Sequence, residues 1–88
     1  MIRSIWKYPL KIIDEEQELM IPQDGKIVYV DNQNHAPVLW IEVFPKSPKE
    51  ARNFRVFGTG HPIPTFWNYI GTCLLPPFVW HIYEWKGG

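Results

Sequence analysis

Hydrophobic and polar residues alternate along the first segment of the chain, residues 3–13. Every second position is apolar, and these positions form one face: Trp6, Tyr8, Leu10 and Ile12. The positions between them are Lys7, Pro9 and Lys11. Because successive side chains of a strand point to opposite faces, this period of two predicts a β-strand. Lysine and proline on the outer face indicate a strand at the edge of a sheet.

The same reasoning predicts six further strands in the rest of the chain. They cover residues 17–21, 26–31, 38–44, 53–57, 67–75 and 78–85. The strand over 38–44 is apolar on both faces apart from Glu42, which indicates a central position in a sheet. A turn signal at 23–26 separates the strand over 17–21 from the strand over 26–31, and a second turn signal at 32–35 separates the latter from the strand over 38–44. Residues 17–44 are therefore expected to form a meander of three antiparallel strands.

Prolines recur at intervals too short for long helices. Ser47 followed by Pro48 favours at most one short helical turn, near residues 47–52. Short strands separated by frequent turns predict an all-β domain over residues 1–88, a small antiparallel barrel or sandwich of about six to seven strands. The last residues, 86–88, are expected to be a frayed tail.

The aromatic content is high for a chain of 88 residues, with five Trp, four Tyr and five Phe. Each ring buries about 150–250 Å² when it is covered. Two interpretations are open: an aromatic-rich core with rings at its rim, or rings exposed in an oligomer interface or a ligand cleft. Because small domains need a supplement to their core, and Cys73 alone cannot form a disulfide within the chain, we expect a homo-oligomer.

The charge balance and the distribution of apolar residues exclude several classes of partner. The formal net charge is zero, which disfavours a nucleic-acid polymer as ligand. No apolar run approaches the ~20 residues that cross a bilayer, and the N-terminus does not read as a signal peptide. The single cysteine is typical of a reducing compartment. We expect a cytoplasmic protein with no membrane partner.

Catalytic and metal-binding motifs are missing from the sequence. The three histidines lack the short pair spacing of zinc ligands, so no metal site and no cofactor are expected. Cys73 lies mid-strand and is interpreted as a small buried hydrophobe. His81 lies between two apolar residues of a strand and is interpreted as a structural histidine with satisfied hydrogen bonds. The chain is not expected to be an enzyme.

The most informative stretch for ligand binding is a glycine-rich loop. Gly58 and Gly60 flank Thr59, an arrangement in which backbone N–H groups and a hydroxyl can converge on an anion. His61 adds a donor where the loop ends. The alternative is that the two glycines only shape a tight loop.

Two aromatic residues and an arginine complete the predicted ligand site. Arg55 and Phe57 are two positions apart, so both side chains leave the same face of the strand. The guanidinium offers a planar donor to phosphate, and Phe57 or Trp67 offers a surface on which a base can stack. The predicted site suits a small phosphorylated or nucleotide-like ligand. The alternative is that Arg55 faces solvent.

A second Gly-Thr pair, Gly71-Thr72, lies within a predicted strand. A glycine there often marks a β-bulge or the close approach of another group. If this strand pairs with residues 53–57, both Gly-Thr pairs could line one cleft.

Three segments of the chain resemble a family of short phage and prophage proteins of unknown function. They are Ile-Trp-Lys-Tyr-Pro-Leu at 5–10, Phe-Arg-Val-Phe-Gly-Thr-Gly-His-Pro-Ile-Pro at 54–64, and the stretch from Tyr-Ile-Gly-Thr to Trp-His-Ile-Tyr-Glu at 69–84. The resemblance implies a phage origin and a small stand-alone protein in the host cytosol. It implies no catalytic residues.

By analogy, unrelated short phage proteins form oligomers that sequester the nucleotide signals of host immunity. We therefore expect a homo-oligomer that binds a cyclic ADP-ribose derivative or a cyclic dinucleotide without catalysis. One alternative is an inhibitor that covers a host defence protein with an exposed aromatic patch. Another is an enzyme that hydrolyses such a signal, with His61 or His81 as its base.

Overall fold

Seven strands make up most of the computed structural model, which describes residues 1–87. They are β1 (Ser4–Pro9), β2 (Gln17–Pro22), β3 (Lys26–Gln33), β4 (Ala36–Val43), β5 (Lys49–Gly58), β6 (Trp67–Leu75) and β7 (Phe78–Trp85). Two antiparallel sheets have the orders β1-β4-β3 and β2-β5-β7-β6. The all-β prediction is confirmed, as a sandwich and not as a closed barrel. None of the described residues form a helix that could cross a membrane.

The core lies between the two sheets and is built by alternation along their inner strands. Phe54 and Val56 of β5 and Ile82 of β7 face inward and meet Leu39 and Ile41 of β4. All five side chains are at most 5% exposed. The residues between them on β5 and β7 therefore lie on the outer face of the second sheet.

The predicted places of β1 and β4 in their sheet are confirmed. β1 forms an edge, β4 lies between β1 and β3, and Ser4 to Pro9 pair with Val43 to Val38. β1 ends at Pro9, so the predicted strand over residues 3–13 is too long and Ile12 lies outside the observed strand. The β3–β4 turn is also as predicted. Asn34 and His35 both have positive φ, 54° and 63°, as a two-residue type I′ hairpin requires.

The predicted meander over residues 17–44 is wrong. β2 pairs with β5, from Gln17 opposite Phe54 to Pro22 opposite Lys49, and only β3 and β4 form a hairpin. The turn after β2 carries the chain from one sheet to the other, with the Gly25 N–H donating to the Pro22 carbonyl at 3.2 Å. A period of two shows which face of a strand is buried, but it does not show which strand lies beside it.

The predicted helical turn near residues 47–52 is also wrong. Ser47 lies in a turn, its N–H donating to the Phe44 carbonyl at 3.0 Å, and β5 begins at Lys49. The Pro48 carbonyl accepts from the Gln23 N–H at 2.8 Å, which extends the ladder between β2 and β5. These polar residues are the exposed end of a strand, because pairing with β2 overrides the local capping signal.

Gly71 marks a β-bulge and a close approach, as predicted. The register of β6 against β7 shifts between Tyr69 and Gly71. A Cβ at Gly71 would lie 3.0 Å from the Cβ of Val30 on β3, so the two sheets meet there without room for a side chain. The conjectured pairing of β6 with residues 53–57 is wrong, because β7 lies between β6 and β5.

The end of the chain stays attached to the sandwich at Lys86. Its N–H donates to the Phe66 carbonyl at 3.1 Å. Of the tail expected over residues 86–88, Gly88 lies outside the described residues.

Candidate ligand-binding site

The predicted glycine-rich loop forms a tight turn at the end of β5. The His61 N–H donates to the Gly58 carbonyl at 3.1 Å, which closes a four-residue turn. Gly60, the third residue of that turn, has φ +87°, as a type II turn requires. The glycines therefore shape a tight turn, which was one of the two interpretations of this loop.

The His61 imidazole folds back over the turn that carries it. Its Nδ1 accepts a hydrogen bond from the Gly58 N–H at 3.2 Å. A Cβ on residue 58 would lie 2.9 Å from the His61 Cε1, so the ring takes this position only because residue 58 is glycine. Since Nδ1 accepts, the neutral ring carries its proton on Nε2. The Nε2–H is then a donor that no hydrogen bond of residues 1–87 uses.

Arg55 lies beside this turn and covers the Phe57 ring, as their shared face predicts. Its guanidinium carbon lies 5.0 Å from the ring centre. One terminal nitrogen donates to Asp14 Oδ1 at 2.7 Å, and the Asp14 side chain is 93% exposed. The Arg55 Nε is sheltered and has no acceptor within residues 1–87. The planar donor set of Arg55 is thus only partly satisfied by the protein.

Three adjoining hollows surround this part of the molecule, and His61 lines all of them. One, of about 290 Å³, is lined by Asp14, Arg55, Phe57, His61 and Pro62. A second, of about 230 Å³, is lined by Ile12, Ile13, Asp14, Val56, His61 and Trp80. The third, of about 430 Å³, is lined by Gly58, Thr59, His61, Pro77, Phe78, Val79 and Trp80. Each alone is small or moderate for a ligand pocket, and the three adjoin around one imidazole.

The two rings predicted to stack on a ligand lie in an aromatic cluster on the outer face of the second sheet. Phe57 is 3% exposed and Trp67 is 7% exposed. Phe57 meets Trp67 edge to face at 6.1 Å and Tyr83 at 5.4 Å. Other rings therefore cover Phe57 and Trp67. Neither Trp67 nor Gly60 lines any of the three hollows.

Two further rings line the hollows, Trp80 and Phe78, and sequence reasoning did not select them. Their centroids are 5.7 Å apart, and Phe78 is 59% exposed. Trp80 lies opposite Gly58 in the β5–β7 ladder, so it sits next to the turn. In the sequence, the only indication of a shared location was that the two rings occupy alternate positions at the start of β7, directly after two prolines.

His81, on the strand between β5 and β6, joins the two Gly-Thr pairs, although the conjectured pairing that would have brought them together does not form. Its Nε2 lies 2.8 Å from Thr59 Oγ1, and its Nδ1 lies 3.1 Å from Thr72 Oγ1. Tyr69 continues the chain of hydrogen bonds, with its hydroxyl 2.5 Å from Thr72 Oγ1. The interpretation of His81 as a satisfied structural histidine is confirmed. This network holds Thr59 and therefore fixes the turn at the end of β5.

Two further features bear on possible chemistry. Cys73 is fully buried, and burial, with a smaller contribution from Asp31, raises the pKa of its thiol. It is the buried hydrophobe that its position predicted. Within residues 1–87 there is no group of three or more His, Cys, Asp or Glu that could hold a metal ion.

A larger hollow, of about 690 Å³, lies at the opposite end of the sandwich. Its lining is Met1, Ile2, Pro45, Lys46, Ser47 and Pro48. It contains one charged side chain and no aromatic ring, so it lacks the combination of groups that surrounds His61.

Comparison with models of protein families gives a match over nearly the whole chain. The model of a family described as a domain of unknown function (DUF7352) matches residues 1–87. No curated protein and no solved structure matches the chain.

Proposed function

The chain belongs to the DUF7352 family, and from the site around His61 we propose that it binds a small nucleotide-type ligand and holds it without turnover. The observation that carries this proposal is the convergence of three hollows on His61, beside an arginine whose donors are only partly used. A cyclic ADP-ribose derivative or a cyclic dinucleotide has the parts that such a site would hold.

Arg55 is the group that would bind phosphate. An exposed carboxylate such as Asp14 holds an arginine weakly, because solvent screens the pair. A phosphate brings more charge and several oxygens, so it can displace or share the position of Asp14 and form two parallel bonds with the guanidinium. The His61 Nε2–H, which lines the same hollow, supplies a further donor.

The apolar walls of the other two hollows suit a base. Ile12 and Ile13 line one side of the smaller hollow and Trp80 also lines it, while Phe78 and Trp80 line the larger one. A base is planar and has π faces, so it gains from contact with an indole and with branched aliphatic side chains.

We propose that sequestration of such a ligand serves a phage against a nucleotide-based immune signal in the host cytosol. The support for this step is the resemblance of the three segments to short phage proteins. The support for binding without turnover is the composition of the site: of the described residues that line the three hollows, Asp14 is the only carboxylate, and it is engaged by Arg55. The imidazole of His61 also lines the hollows, but its Nδ1 lone pair accepts from the Gly58 N–H, so the neutral ring has no free nitrogen to act as a general base.

Replacement of Arg55 by alanine is expected to weaken ligand binding by about 1.5–3 kcal/mol, the range for hydrogen bonds to charged groups. Isothermal calorimetry against cyclic dinucleotides and ADP-ribose derivatives measures this change. The matched control is Arg3→Ala, because Arg3 is also an arginine in an ion pair, at 3.1 Å from Glu42, but this partner lies on β4 of the other sheet. Binding by the control should equal that of the unchanged protein.

Two results would contradict the proposal. One is the absence of heat with every member of the panel at millimolar concentration. The other is an equal loss of affinity in the Arg55 and Arg3 variants, which would show that the charge acts at long range and not at the site.

A second surface supports the proposal that the protein is a homo-oligomer. Phe66, Tyr69 and Trp85 are 46%, 57% and 39% exposed, and the rings of Phe66 and Trp85 meet at 4.7 Å. With Tyr69 they form an exposed aromatic patch on the outer face of the second sheet. This patch borders Trp67, whose ring contacts Phe57 at the ligand site. We propose that a second copy of the chain covers it, which places the ligand site near the interface.

Replacement of Trp85 by glutamate is expected to convert the oligomer to monomer, because it puts a charge into the apolar contact. Sedimentation velocity over a range of concentrations measures the change. Tyr29→Glu is the matched control, since Tyr29 is 58% exposed on the other sheet. If the unchanged protein is already a monomer at high concentration, a second copy does not cover the patch. In that case we expect the aromatic patch to bind a host protein instead.

A further inference from the structure

Strand β5 has one open backbone position along the edge where β2 ends. The β2–β5 ladder starts with the bond from Gln23 N–H to the Pro48 carbonyl and runs to the pair of Gln17 with Phe54. Residues of a strand point their N–H and C=O groups to alternate sides. The even-numbered residues of β5 therefore face the β2 side, and Val56 is the first of them that β2 does not reach.

The next even-numbered residue is Gly58, and both of its backbone groups are already used in hydrogen bonds of the turn. Its carbonyl accepts from the His61 N–H, and its own N–H donates to the His61 imidazole. Val56 lies between the last β2 pair and this closed position. Within residues 1–87, no strand pairing on that side and no turn or side-chain hydrogen bond involves the Val56 N–H or C=O. Buried backbone groups without partners are rare in folded proteins.

The surroundings of Val56 show what kind of group could pair with it. Its side chain belongs to the core and the whole residue is only 5% exposed, so a partner for its backbone would have to enter the hollow that Val56 lines. It lines the hollow of about 230 Å³ whose other walls are Ile12, Ile13, Trp80, Asp14 and His61. That hollow has apolar walls, with an acidic side chain and an imidazole at its margin.

We propose that the Val56 N–H and C=O read the hydrogen-bonding edge of the ligand's base. A base presents a donor and an acceptor side by side in one plane, which is what one N–H and one C=O of a strand can pair with. An extended peptide fits less well, because strand addition needs several successive open positions and β5 offers one here. This inference rests on the proposed function and extends it: the base lies between Trp80 and the Ile12–Ile13 pair, while the phosphate lies on Arg55.

Amide hydrogen exchange, followed by NMR, tests this assignment on the intact protein. The probes are the four common nucleoside 5′-monophosphates, ribose 5-phosphate, and the best-binding nucleotide methylated at the nitrogen of its pairing edge (3-methyl-UMP for UMP). Arg55 and Phe57 provide internal controls, because their amides face β7. In the free protein, Val56 should exchange faster than both. A bound nucleotide should slow Val56 exchange by about tenfold or more, and the methylated form should bind about tenfold more weakly and leave Val56 unprotected.

The outcomes separate this inference from the proposed function. If ribose 5-phosphate and the nucleotides bind through Arg55 but Val56 stays unprotected, only the assignment of Val56 is wrong. If Val56 is already as protected as Arg55 and Phe57 in the free protein, the open position does not exist and the inference fails. If no probe binds at millimolar concentration, the inference fails, and the proposed function is then decided by the calorimetric panel of cyclic dinucleotides and ADP-ribose derivatives.

Discussion

Replacement of Phe54 by alanine is expected to lower the free energy of unfolding by about 3–5 kcal/mol. Phe54 is fully buried and lies where β5 passes from its pairing with β2 to its pairing with β7. Its ring is among the largest fully buried side chains of the core, so its loss leaves a cavity between the two sheets. A domain of this size has a total stability of roughly 4–13 kcal/mol, so this single change removes much of it.

Urea denaturation followed by tryptophan fluorescence measures the loss. Phe54→Leu is the control, because leucine keeps most of the apolar surface and should cost about 1–2 kcal/mol. If Phe54→Ala and Phe54→Leu both cost less than about 1 kcal/mol, the core position assigned to this ring is contradicted.

Replacement of Arg52 by alanine is expected to lower the free energy of unfolding by about 2–4 kcal/mol, because Glu84 loses the cation that pairs with it and stays largely buried. The Arg52 guanidinium donates twice to Glu84, at 2.6 and 2.8 Å, and once to the Gly25 carbonyl at 2.7 Å. Both charged side chains are 18% exposed. The hydrogen bond to Glu84 raises the pKa of Arg52 although burial opposes it. This arginine ties β5 to β7 and to the turn after β2.

A double-mutant cycle with Glu84→Ala isolates the interaction between Arg52 and Glu84. The reference is the cycle for Arg3 and Glu42, whose side chains are 62% and 31% exposed and whose coupling should be about 0–1 kcal/mol. A coupling for Arg52 and Glu84 no larger than that of the exposed pair would contradict the structural role of this ion pair.

The strands could be predicted from the sequence because each carries its own signal. The period of two in β1 and the apolar run of β4 reveal burial, and a turn signal at 32–35 marks the hairpin. The partner of β2 could not be predicted. Gln17 to Pro22 reads the same whether the neighbour is β3 or β5, since backbone pairing is not encoded in which face is buried.

In the candidate site, too, the contacts between residues close in sequence could be predicted, and those between distant segments could not. The turn that carries His61, and the shared face of Arg55 and Phe57, follow from residues that are close in sequence. Asp14 and Trp80 join them from distant segments, so nothing in the sequence near Arg55 indicates them. The burial of Phe57 and Trp67 depends on which strand lies beside which, and it removes them as open stacking surfaces.

The most direct test of a ligand site around His61 is chemical-shift mapping of the uniformly ¹⁵N-labelled protein during titration with a cyclic dinucleotide or an ADP-ribose derivative. A ligand site around His61 predicts that the shifts concentrate at Asp14, Arg55, His61 and Trp80 and saturate together. Shifts confined to the opposite end of the sandwich, around Pro45 to Pro48, or no shifts with any of these ligands at millimolar concentration, would contradict it.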